Sequence, residues 1–160
     1  MVDHRSRALL VAARSATLAT IAPSGRPRLV PICFVVGEDD AAGRVRIYSP
    51  LDDKPKAVAD PHRLARVRDV LARPEATLLI DRWSEDWGRL AWIRLDTSAD
   101  LLEPSAPDGA AGGEHRREHA DAIARLRTKY PQYAGHRLEE RPLLRFTVQR
   151  VVAWGALDAD

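Results

Sequence analysis

The chain has 160 residues, 45% hydrophobic and 30% charged, with a formal net charge of +2. That length suits one domain, residues 1–160, built around a single core, and the composition is ordinary for a globular protein. The small charge excess argues against nucleic-acid binding, the lone Cys33 excludes an internal disulfide, and no apolar run is long enough to span a membrane. One free cysteine fits a reducing cytoplasm. The N-terminal stretch M-V-D-H-R-S-R-A-L-L reads as neither a signal peptide nor a membrane anchor.

Ser6 to Ala13 predicts a short first helix. Residues 15–21 alternate small polar with apolar side chains and predict a strand. The turn A-P-S-G-R-P at 22–27 leads into a second strand, Arg28 to Val36. A second turn, 37–43, precedes a third strand, Arg44 to Ser49. There Val45 and Ile47 share one face, and Arg46 and Tyr48 share the other. Asp60 and Pro61 predict a helix start, and Leu64, Val67, Val70 and Leu71 predict its apolar stripe. Pro74 ends that helix. Ala76 to Asp81 predicts a central strand, and Arg89 to Leu102 a long or bent one. A loop at 103–113, a helix from Glu114 to Tyr130 and a closing strand region from Leu143 to Leu157 complete the chain. The expected fold is mainly β: six mostly antiparallel strands that form a sandwich or close into a barrel, with two to three peripheral helices.

The stretch Ser49–Pro74 carries the clearest chemical signal. Only three lysines occur, and two of them, Lys54 and Lys56, lie here beside Ser49 and the arginines of the following helix. A hydroxyl, ammonium groups and guanidinium forks together suit a phosphate. The competing explanation is a solvated basic loop and helix face.

The order A-T-L-A-T (16–20), G-R-P-R-L-V-P-I-C-F-V (25–35), V-R-I-Y-S (45–49), K-P-K (54–56), L-A-R-V-R-D-V-L-A-R-P (64–74), A-T-L-L-I-D (76–81) and E-D-W-x-R-L-A-W-I-R (85–94) resembles the pyridoxamine 5′-phosphate oxidase-related proteins. Within them it looks most like the subgroup that uses the deazaflavin coenzyme F420. The resemblance covers nearly the whole chain. It implies an FMN-binding split barrel, a cytoplasmic homodimer, two cofactor sites at the subunit interface, and F420 as cofactor with FMN as the alternative. It further implies that Ser49, Lys54, Lys56 and Arg66 hold the phosphorylated tail. Pro31, Trp92 and Trp87 are expected to line the cofactor and substrate cavity. Relatives commonly have glycine at the position of Thr97, which puts the bend of that strand in question.

Other patterns weigh less. Trp92 and Trp87 have core filling as their competing role. H-R-R-E-H at 115–119 has the spacing of an inverted zinc-protease motif, but it opens a charged helix with no third ligand in view, so no metal is expected. Cys33 reads as a small buried strand residue rather than a nucleophile. Asp81, Glu85 and Asp86 read as a strand end and turn. No protein acid or base is nominated. The leading expectation is hydride transfer from reduced F420 to a small organic acceptor. The competing one is a carrier that binds flavin, deazaflavin or haem without turnover.

Overall fold

The computed structural model describes residues 2–51, 60–105 and 110–158. It contains α1 (His4–Ala12), β1 (Ala16–Ile21), β2 (Pro27–Ile32), β3 (Val35–Val36), β4 (Arg46–Pro50), α2 (Ala65–Ala72), β5 (Glu75–Arg82), β6 (Ala91–Leu102), α3 (Ala110–Lys129) and β7 (Leu143–Gly155). All strands pair antiparallel, in the order β2-β1-β5-β6-β7-β4-β3. The two edge strands are consecutive in sequence, parted only by Cys33 and Phe34. One continuous segment therefore pairs with β1 through its first half and with β4 through its second. That connection curls the sheet into a split barrel. It also explains why the strand expected over 28–36 is two elements.

Alternation decides which side chains fill the barrel. Leu18, Ile47, Leu78, Ile80, Ile93, Leu95, Leu144 and Phe146 are fully enclosed, with Phe34, Leu10 and Val67 packed against them. A second cluster joins α3 to the outside of β3 and β4 through Ile123, Leu126, Tyr130, Tyr133, Val35 and Tyr48.

Three local expectations change. Asp60 caps a 3-10 turn over Pro61–Arg63 by accepting from the His62 N–H, and α2 starts only after an extended Leu64. Leu71 is 60% exposed and leaves the stripe to Leu64, Val67 and Val70. The register of β6 and β7 shifts at Asp96/Thr97, with Asp96 opposite Arg150 and Thr97 opposite Val148. Gln149 is thus the extra residue, and β7 takes the bend that a glycine in β6 would otherwise permit. Thr97 stays buried and donates its hydroxyl to the Ala76 carbonyl at 2.8 Å.

The outer face of the sheet exposes apolar side chains among polar and charged ones. The pairing rows Pro31–Thr17–Leu79–Arg94–Val152 and Leu29–Ala19–Thr77–Asp96–Arg150 cross it. Leu29 is 62% exposed and Leu79 39%. A hollow of about 330 Å³ lies on this face beside the bulge, lined in part by Ala19, Ile21, Thr77 and Gln149.

Candidate functional site

The third-strand alternation holds. Ile47 faces the barrel interior, while Tyr48 packs in the cluster under α3. Ser49 falls on the Ile47 side and is buried, just before the enclosed Leu51. Arg66 is half-buried on α2. Lys54 and Lys56 lie outside the described residues, so two of the four expected tail ligands have a structural position.

The carboxylate of Asp69 sets α2 against the barrel. Asp69 is buried and accepts from Thr20 Oγ1 at 2.8 Å and from Arg28 Nε at 2.7 Å. A buried carboxylate with a charge-assisted partner is costly to disturb. It ties the helix carrying Arg66 to β1 and β2. Sequence reasoning passed over Asp69. Its signal was an acid between Val67 and Val70 on an otherwise apolar face, but its partners come from strands about 40 to 50 residues away and are not legible locally.

A cavity of about 680 Å³ opens between the outward side of β4 and α3, with Glu38, Asp39, Arg46, Tyr48, Arg117 and Glu118 among its walls. Glu118 is the hub at its base. Its Oε1 accepts from Tyr48 OH at 2.6 Å and Arg46 Nη1 at 2.9 Å, and its Oε2 from Arg145 Nη1 at 2.9 Å. Arg145 also grips Asp100 through two bonds of 2.9 Å. Burial, then the Glu118 carboxylate, pushes the Tyr48 phenol well above its usual range, so it stays protonated and acts as a donor. Gly37 lies against this ring: a Cβ there would run into Tyr48. The sequence placed Arg46 and Tyr48 on one face but not their acceptor.

The two histidines of H-R-R-E-H have structural partners. His115 donates Nε2–H to the Glu103 carbonyl at 2.7 Å, and His119 donates to the Arg141 carbonyl at 2.9 Å. His119 is 5% exposed, so this face of α3 is packed.

The aromatic residues gather at the other end of the sheet. Trp92 is half-buried on β6 and directly opposite the exposed Trp154 of β7. Trp87 and Trp83 are 76% and 71% exposed in the loop between β5 and β6. Core filling is excluded for Trp87. Ser49 pairs with Leu144 and Trp92 with Trp154, at opposite ends of β7. Ten residues of strand separate them, about 30 Å along the chain. Pro31 sits exposed on the β2 edge, opposite Thr17. One copy of the chain therefore does not bring Trp87 and Trp92 to Ser49. Trp154 was missed, because its relation to Trp92 depends on a cross-strand register.

Comparison with known proteins agrees with this architecture. A family model of pyridoxamine 5′-phosphate oxidase matches residues 2–155. The chain belongs to that family. A FAD-binding protein from Mesorhizobium loti superimposes with a TM-score of 0.59 at 17% identity, over 92% of this chain and 87% of that one. An F420 reductase gives 0.57 at 13%, over 91% and 94%. The haem-storage protein HutZ from Vibrio cholerae gives 0.60 at 12%, over 96% and 94%. At these identities the likeness concerns the fold. A search of curated proteins finds no significant match. Among the described residues no helix is long and apolar enough to cross a membrane.

Proposed function

We infer that the chain is a homodimeric, cytoplasmic oxidoreductase that binds reduced F420 and presents it to a small organic acceptor. The observation that carries this reading is the separation of Ser49 from Trp92 and Trp87 across a sheet face with exposed apolar side chains, in a chain of this family. Leu29, Pro31, Leu79 and Trp154 expose the kind of surface that a second copy covers. An antiparallel copy against it would carry the tryptophan end of one subunit toward the β4–α2 end of the other.

The donor chemistry at the β4–α2 end fits a phosphorylated tail. Arg66 provides a guanidinium, Ser49 a hydroxyl, and Lys54 and Lys56 follow in sequence. Asp69, by fixing α2 to β1 and β2, orients Arg66. Pro31, Trp92 and Trp87 are assigned to the ring and acceptor, where large rigid aromatics exclude water. When bound, a reduced deazaflavin supplies the hydride, and the protein contributes binding and orientation.

Titration of the purified chain with F420 and with FMN, followed by fluorescence, tests the reading. F420 binding at micromolar concentration is expected, and it weakens about tenfold or more in Lys56→Ala and in Arg66→Ala, the scale of one lost charge-assisted contact. If neither cofactor binds, the oxidoreductase reading fails. Tighter FMN binding reassigns the cofactor. The similarity to a haem-storage protein supports a second reading, a carrier without turnover. Oxidation of bound reduced cofactor by quinones, enones or nitroaromatics separates the two.

A further inference from the structure

Lys129 ends α3 in unusual surroundings. Its Nζ is shielded from solvent and has no hydrogen-bond partner among the described residues. It lies 4.3 Å from the centre of the Phe34 ring and 5.6 Å from that of Tyr130. The same side chain lines a mostly apolar cavity of about 340 Å³ formed with Val11, Val35, Val36, Ala124, Arg125 and Thr128.

The charged and titratable groups around it leave its amine unpaired. Arg14, which follows α1, donates to the Lys129 carbonyl at 2.6 Å and stacks 4.7 Å from the Tyr130 ring. The Tyr130 hydroxyl is engaged with the Phe34 backbone. Arg125 is paired with Asp121 and Glu38. Cys33 precedes β3 on the remaining side. Burial, then the Arg14 charge, lowers the Lys129 ammonium to about 8.

We propose that Lys129 is a carbonyl-capture site, whose amine condenses with an aldehyde carrying an apolar tail that fills the adjoining cavity. An amine that lies against ring faces turns into the cavity by rotation about its own side-chain bonds, with no hydrogen bond to a described residue to break. The nitrogen lone pair attacks the carbonyl carbon, and a nitrogen proton passes to the oxygen to give a carbinolamine. Loss of water then forms the imine. One C=O bond breaks, one C=N bond forms, one water leaves, and no oxidation state changes. Desolvation favours the neutral, nucleophilic amine, as it does for reactive lysines in general.

The full chain, incubated at pH 7.5 with hexanal and cyanoborohydride beside Nα-acetyl-lysine as a reference amine, is digested and mapped by mass spectrometry. Peptides separate Lys129 from Lys54 and Lys56, the only other lysines. N-hexylation of Lys129 is expected about tenfold or more faster than that of the reference. The neutral fraction at this pH is roughly a hundredfold larger for an amine titrating near 8 than for one near 10.4. Acetaldehyde, with no tail to seat, should show a smaller preference, and filling the cavity with Ala124→Trp should reduce the hexanal rate. Labelling of Lys129 no faster than the reference overturns the site. Equal enhancement with hexanal and acetaldehyde overturns the role of the cavity.

Discussion

Two charged side chains of α3, eleven positions apart, meet desolvation in opposite ways. Glu118 is only 14% exposed, but both of its oxygens are spoken for by Tyr48, Arg46 and Arg145. Lys129 has a shielded amine and two aromatic faces, with no acceptor among the described residues. A cation over a ring recovers only part of what water supplied, so the Lys129 ammonium loses protons readily, whereas Glu118 has a donor on each oxygen. The lesson is that partial burial alone does not set the state of a charge on this helix. The partners do, and they come from β4 and β7 in one case and from Phe34, between β2 and β3, and the adjacent Tyr130 in the other.

The largest effect expected from breaking this contrast is at the hub. Glu118→Ala strips an acceptor from Arg46, Tyr48 and Arg145 at once and should destabilise the fold by about 3 kcal/mol in urea denaturation. Glu118→Gln should recover part of that, because its carbonyl oxygen still accepts from Tyr48. A loss near zero in Glu118→Ala would mean that water replaces the carboxylate freely. At the other charge the sign reverses. Lys129→Met keeps the apolar volume and deletes an unpartnered ammonium, so stability at pH 7 should rise by about 1 kcal/mol. A clear loss would reveal a partner for the amine.

The pH dependence sharpens the same point. The folded Lys129 titrates near 8 and the unfolded one near 10.5, so between those values the unfolded chain binds more protons. Stability of the wild type relative to Lys129→Met should therefore climb as pH rises from 8 to 10.5, read from urea midpoints. Arg14, Cys33 and Tyr130 are common to both proteins, so comparing the two largely removes their own titration. The smallest effect belongs to His62. Its Nδ1 meets Asp60 at 3.1 Å and its Nε2 meets Glu103 at 2.8 Å, an arrangement that requires the imidazolium. The Glu103 carboxylate raises its pKa, burial opposes that rise, and Asp60 adds to it, with a net upward shift. The advantage of wild type over His62→Ala should be complete below pH 6.5 and vanish as pH rises through the raised folded value. Equal stability of the two proteins at pH 5.5 would remove the clamp.

Much of the barrel was legible because alternation and turn chemistry are local. Thr17–Ile21, the A-P-S-G-R-P turn and the run A-T-L-L-I-D lie where their patterns place them. The 28–36 segment reads as one strand, and its break at Cys33–Phe34 follows from pairing with two different neighbours. Leu71 reads as core by spacing, but α2 begins late and turns it outward. The candidate site was legible in part. Arg46 and Tyr48 were correctly set on one face. Ser49 lies on β4 and Arg66 on α2, while Trp87 and Trp92 lie just before and at the start of β6. Nothing local to either group announces a distance of about ten strand residues between them.

By itself the sequence determined a mainly antiparallel set of strands, most of the helices and the basic composition of the Ser49–Pro74 stretch, since periodicity and capping act over a few residues. Only the tertiary structure decided the partners of the buried charges. Asp69 meets Thr20 and Arg28, Glu118 meets Tyr48, Arg46 and Arg145, and the Lys129 amine lies against the Phe34 and Tyr130 rings. The free energy of a buried charge depends on what surrounds it in space, and those surroundings come from strands and helices far away along the chain.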